Sequence, residues 1–192
     1  MTNQQPYKKL YTYWFSVMIY DHTVKFCDKW IKSWKLKEQM IGAARSGKQN
    51  IVEGTDDMNT SLEIAIKLTG TSKGSLEELI GDLEDFLRQR DLKEWGKEDE
   101  RILRFRKIAG QTVKNLSETR DIRYLKAIKF PERPEVAANW LLTLCHQATY
   151  LLYRQVKALE RKHEQEGGFT EKLYKKRVNY RNQNGYHNNQ NF

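Results

Sequence analysis

SLEIAIKLTGTSKGSLEELIGDLEDFLR, residues 61–88, decides the fold. Leu62, Ile66, Thr69, Lys73, Leu76, Ile80, Leu83 and Leu87 recur at alternating spacings of four and three, a heptad seam interrupted only at Lys73. A seam of this kind buries itself only against other helices running nearly parallel or antiparallel, at a crossing angle of about 20°. Asn59, Thr60 or Ser61 offers a side-chain cap for its start.

Working outward, the same periodicity extends in both directions. A first helix is expected from just after Pro6 to about Ser33, with Leu10, Trp14, Val17, Val24 and Ile31 as its seam and Tyr13, Tyr20, Cys27 and Trp30 widening the face. A second runs from about Leu36 to Gly54 through Met40, Ala43, Ala44, Gly47 and Ile51. In residues 91–133, Ile102, Phe105, Ile108, Ala109, Val113 and Leu116 suggest one moderate helix followed by a loop. Pro134 suits the first turn of a long last helix, which Gly167 and Gly168 should end. No segment alternates with period two for long, so the class is all-α. The organisation expected is a bundle over residues 1–168, interrupted by an insertion at about 91–133, then a basic, partly disordered tail over 169–192.

Composition narrows the function. The hydrophobic share is 39%, so a core requires apolar stripes rather than apolar segments, and the five Trp and ten Tyr supply much of its area. Lys and Arg number 34 against 25 Asp and Glu, a net charge of +9 that favours polyanions. No stretch approaches the roughly 20 apolar residues of a membrane span, and residues 1–9 lack the apolar core of a signal peptide. Cys27 and Cys145 lie in apolar helical context and read as two buried free thiols of a cytoplasmic protein.

Candidate chemistry is sparse. Gly42-Ala43-Ala44-Arg45-Ser46-Gly47-Lys48 fits G-x-x-x-x-G-K, but Gln49 stands where a phosphate loop needs Ser or Thr, and the apolar spacing continues through it as helix. Glu160-Arg161-Lys162-His163 is a single Glu-x-x-His unit, whereas a helical di-metal site needs two, plus two further Glu. His22, His146 and His187 lie far apart without ligand spacing to one another. The expectation is therefore no catalytic residue, no metal and no cofactor.

Binding features are stronger. Lys172, Lys175, Lys176, Arg177 and Arg181 form a basic tail cluster with Tyr174 and Tyr180 interleaved, a pattern suited to phosphate contact and base stacking. Arg45, Lys48, Lys67 and Lys73 are the bundle cations expected to join it. Gly70, Gly74 and Gly81 fall along one stripe of the third helix; at roughly 0.8–1 kcal/mol each relative to Ala, they call for close approach of another helix, in this chain or in a second copy.

Ser46-Gly47-Lys48-Gln49-Asn50-Ile51-Val52-Glu53-Gly54 resembles the S-x-x-x-N-I-x-E-G signature of the bacterial four-helix-bundle proteins, which include those encoded in intervening sequences of large-subunit ribosomal RNA genes. Ser61-Leu62-Glu63 and Gly74-Ser75-Leu76-Glu77-Glu78 also fit, and residues 167–177 look like the variant called the four-helix-bundle suffix domain. The resemblance implies an up-down-up-down four-helix bundle with a helical insertion between its third and fourth helices. It also implies assembly as a ring, with pentamers among relatives. One relative, the accessory variability determinant of diversity-generating retroelements, is a basic pentamer that binds nucleic acid and a reverse transcriptase. By position, Asn50, Glu53 and Gly54 would be structural, with Asn50 bonding backbone at the turn before the third helix and Gly54 ending the second helix in a left-handed conformation. The function expected is an accessory oligomer that binds RNA or DNA without catalysis. The alternative is a protein-interaction or scaffolding module with a protein partner.

Overall fold

Ser33, Ser61 and Asp99 each open a helix by accepting a backbone hydrogen bond, from Leu36 N (3.3 Å), Ile64 N (3.4 Å) and Arg101 N (2.9 Å). In this computed structural model, which describes residues 5–58 and 60–184, the elements are a short 3-10 turn Pro6–Lys9 and helices α1 Tyr11–Trp30, α2 Trp34–Asp57, α3 Leu62–Arg88, α4 Glu100–Thr119, α5 Arg123–Lys126, α6 Pro134–Glu166 and α7 Phe169–Gln183. Among the described residues the regular structure is all helical. None of these helices is long and apolar enough to cross a membrane. Asn59, one of the three capping candidates, lies outside the described residues, and Ser61 is the cap.

Helices α1, α2, α3 and α6 surround one core, each packed against two of the others: α1 on α2 and α6, α3 on α2 and α6. Met18, Ile19, Phe26, Met40, Ile51, Leu76, Leu79, Leu83, Leu141 and Leu144 fill it. Cys27 and Cys145 are free and buried there, as their context predicts.

The seam of α3 is a heptad, but not quite the one read from spacing. Leu62, Thr69, Leu76, Leu83 and Leu87 are buried as expected, while the companion row is Ala65, Ser72, Leu79 and Phe86. Ile66, Lys73 and Ile80 are only partly buried. The apparent interruption at Lys73 disappears, because the core position is Ser72 and Lys73 turns outward to pair with Glu77. Small residues were the ones missed: Ala65 and Ser72 carry little hydropathy, yet they mark where α2 comes close.

That approach is made by two glycines of α2. A Cβ on Gly47 would lie 2.8 Å from Leu76 Cδ2, and one on Gly54 would lie 3.2 Å from Leu68 Cβ. Ser72 Oγ donates to the Gly47 carbonyl at 2.7 Å, a bond that needs the helices nearly in backbone contact. Gly70, Gly74 and Gly81, expected to admit a neighbouring helix of this chain or of a second copy, meet nothing within 4 Å among the described residues. They lie on the outward side of α3, away from both α2 and α6.

Three further expectations change. The chain after Pro6 is a 3-10 turn, broken from α1 by the extended Leu10 and tied down by Trp14 Nε1 donating to the Lys8 carbonyl at 2.8 Å. In α1 the buried face is Trp14, Phe15, Met18, Ile19, His22 and Phe26, with Val17 and Val24 only half-buried. The cause is α4, which lies across α1 and α6 and buries a second flank of α1. Helix α2 continues through Gly54 to Asp57, so Gly54 is helical, and Gly167 (φ 73°) is the glycine with positive φ that ends a helix.

Residues 91–133 pack onto the bundle rather than project from it. Trp95 N donates to Asn139 Oδ1 (2.8 Å), Trp95 Nε1 to Glu135 Oε1 (3.0 Å), and Asn139 Nδ2 returns a bond to the Lys93 carbonyl (2.9 Å). Arg101 covers the Trp95 ring at 3.6 Å, and Ile102, Ala109, Val113 and Leu116 carry the buried face of α4. Ile108, expected on that face, is 49% exposed.

Candidate nucleic-acid interface

The start of α1 and the second half of α6 are held together by Thr12 Oγ1 donating to Gln155 Oε1 at 3.1 Å. Beside that bond runs a groove of about 670 Å³. Leu10, Met58, Leu151, Ala158 and Leu159 form its apolar lining, and Tyr11, Tyr153, Arg154, Lys157 and Arg161 its polar one. No carboxylate is among the described lining residues. Tyr11 is 43% exposed and Tyr153 50%, so both side chains are open to solvent. On α6 the positions 150, 153, 154, 157 and 161 share one side at helical spacing, which also brings Arg154 over the Tyr150 ring at 6.0 Å.

The charges differ in freedom. Lys157 bonds Glu160 at 2.8 Å, while Arg161 Nε donates to the Lys157 carbonyl at 3.1 Å and keeps its outer nitrogens. Among the described residues neither Arg154 nor Arg161 has an acidic partner.

Met58 has a second role: it also lines a smaller crevice with Thr60, Leu62, Phe169, Lys172, Leu173 and Lys176. The basic tail is thus a helix, α7, whose Phe169 and Leu173 rest beside the α2–α3 connection and next to the groove. Within the tail expected to be partly disordered, residues 169–183 are helical; residues 185–192 lie outside the described residues. Lys172 bonds Glu166 at 2.7 Å and holds that carboxyl below its usual range. Lys175, Arg177 and Arg181 are exposed, as are Tyr174 and Tyr180.

The bundle cations expected to join this tail do not gather with it. Arg45 is exposed on α2, Lys67 is exposed on α3, and Lys73 is paired with Glu77. Lys48 turns toward α1, its Nζ 4.2 Å from the Tyr20 ring centre. None of the four lines the groove beside the Thr12–Gln155 bond or the crevice under Phe169.

The residues of the signature serve packing. Asn50 Nδ2 donates to the Ser46 carbonyl (2.9 Å) and to Ser46 Oγ (3.1 Å), and Ser46 Oγ meets Ser75 Oγ across the α2–α3 contact at 3.0 Å. Asn50 therefore acts inside the helix, not at the turn after it. Glu53 is exposed. Gly42 to Lys48 is helix throughout, so its backbone N–H groups are turned into the helix and cannot cradle a phosphate. Glu160 bonds Lys157, and His163 faces Glu63 at 3.7 Å. His146 is exposed, and His187 lies outside the described residues.

The buried titratable groups are locked in neutral form. Trp140 Nε1 donates to His22 Nδ1 at 2.7 Å, and burial lowers the His22 pKa to about 4. Burial pushes the Cys27 thiol up to about 12 and Cys145 higher still, so neither supplies a thiolate near neutral pH.

The α6 stripe escaped the sequence reading because Arg154, Lys157 and Arg161 look like the solvated face of an amphipathic helix. Tyrosine interleaved with basic residues, the sign that drew notice to the tail, occurs here too, in Tyr150, Tyr153 and Arg154.

No family model, no curated protein and no solved structure matches this chain.

Proposed function

We propose that this protein is a non-enzymatic accessory factor that binds RNA or DNA through the groove between α1 and α6 and the adjoining α7 helix. One observation carries the reading: a groove with an apolar floor, two half-exposed tyrosines, two arginines without an acidic partner among the described residues, and Lys157, whose partner Glu160 stands outside the lining. Phosphates suit its cations and base rings suit its floor. The net charge of +9 supports the same class of ligand. Recognition is weakly sequence-specific, because phosphate contacts position the chain without reading bases.

The reading includes an up-down-up-down four-helix bundle formed by α1, α2, α3 and α6. Their cyclic packing and the short connections between α1 and α2 and between α2 and α3 support that course. It also includes a homo-oligomer, a pentamer by the resemblance of residues 46–54, in a cytoplasmic setting. The outward glycines of α3 are its candidate contact.

The test is fluorescence anisotropy of labelled oligonucleotides across a salt series, comparing the wild type with Arg154→Ala/Lys157→Ala/Arg161→Ala. Losing three phosphate contacts should flatten the log K against log salt slope by about 2 for a single strand. An unchanged slope places the contacts elsewhere.

A protein-interaction module is the second reading. A groove of about 450 Å³ between α4 and the α5 region, lined by Phe105, Ile108, Tyr124, Ile128 and Trp140, favours it. Loss of self-association on Gly74→Leu, with oligonucleotides never bound, would select this reading.

A further inference from the structure

Resting on the nucleic-acid reading, we infer that the α1–α6 groove takes single-stranded nucleic acid, with unpaired bases on Tyr11 and Tyr153 and phosphates on Arg154, Lys157 and Arg161. The floor decides between single and double strands. Leu10, Met58, Leu151, Ala158 and Leu159 line the groove, so an occupant must bring apolar surface to cover them. A duplex turns its base faces inward and offers phosphate ridges, which would meet the cations but leave the floor wet. An unpaired strand offers both, because each base has a flat apolar face beside its charged backbone.

The geometry fits that division of labour. Tyr153 and Arg154 are adjacent on α6, so a stacking ring and a phosphate contact alternate within one turn. Arg154 to Arg161 spans about 10 Å of helix axis at 1.5 Å per residue, a line of charge along one side of the groove. Tyr11 is the first residue of α1, and the Thr12–Gln155 bond one residue later holds the start of that helix beside α6.

The test uses the full chain with labelled oligo(dT), oligo(U) and a duplex of equal length, at one salt concentration. Four variants are compared: Tyr11→Ala, Tyr153→Ala, Tyr11→Phe and Tyr153→Phe. Both tyrosines are half-exposed, and unchanged circular dichroism and melting show that each variant is folded. Single strands should bind at least about tenfold more tightly than the duplex. Each alanine variant should weaken single-strand binding by about fivefold or more, leave duplex binding unchanged, and be rescued by phenylalanine. Equal affinity for duplex and single strand, or alanine variants that bind single strands like the wild type, overturns the inference and leaves the nucleic-acid reading standing. Absence of binding to every oligomer overturns both.

Discussion

Acidification should destabilise the bundle through His22, and the size of the effect follows from its surroundings. The imidazole is 2% exposed, accepts the Trp140 indole proton at Nδ1, and packs 5.2 Å from the Phe130 ring centre. Protonation would place a charge in that site and convert the acceptor nitrogen into a donor facing another donor. Its pKa falls from 6.5 to about 4, chiefly by desolvation and then by the Lys25 charge. Between those two values the unfolded chain binds the proton and the folded chain does not, so stability is full above the unfolded value and falls as pH drops toward the folded one. At 1.36 kcal/mol per unit the complete effect is about 3 kcal/mol, with about 2 kcal/mol already lost at pH 5. Urea unfolding at pH 8 and pH 5 reads it, with His22→Gln as reference because the amide oxygen keeps an acceptor for Trp140. Neighbouring Asp21, whose carboxyl is raised by burial, contributes equally to both proteins and cancels in the difference. The wild type minus variant stability should fall by about 2 kcal/mol between the two pH values. A difference that stays flat refutes the buried, neutral histidine.

Other outcomes follow from packing. Gly47→Ala should lower stability by about 1 kcal/mol or more, since its Cβ meets the fully buried Leu76 at 2.8 Å, whereas Gly74→Ala should raise it by about 0.5–1 kcal/mol because nothing lies within 4 Å; thermal melts order the two. Asn139→Ala should cost about 1–3 kcal/mol, because it leaves Trp95 N and the Lys93 carbonyl unpaired; tryptophan fluorescence during unfolding should show the region around Trp95 loosening first. Gly74→Leu should leave the fold of one chain intact, and sedimentation should show a smaller assembly if the outward face of α3 joins copies.

The helices themselves were legible because each carries an apolar period and a chemical start or stop: Ser61 before α3, Pro134 opening α6, Gly167 closing it. What periodicity could not resolve was phase. Ala65, Ser72, Gly47 and Gly54 have little hydropathy, yet they set the α2–α3 contact by what they omit, and a pattern search that rewards large apolar residues chose Ile66 and Lys73 instead. Gly47 and Gly54 lie under a neighbouring helix while Gly70, Gly74 and Gly81 face away from it, and helical glycines in those two situations look alike in sequence. The tail cluster was visible as composition, although its helical form was not. The groove needed the third dimension: Tyr11 and Tyr153 are separated by most of the chain, and only the docking of α1 on α6 makes them one surface.

Photocrosslinking of an oligonucleotide, followed by mass-spectrometric mapping of the modified peptides, tests the central claim most directly. Crosslinks should fall on the peptides carrying Tyr11, on α6 between Tyr150 and Arg161, and on α7. Crosslinks confined to the outer faces of α2 and α3, around Arg45 and Lys67, or none at all, would contradict it.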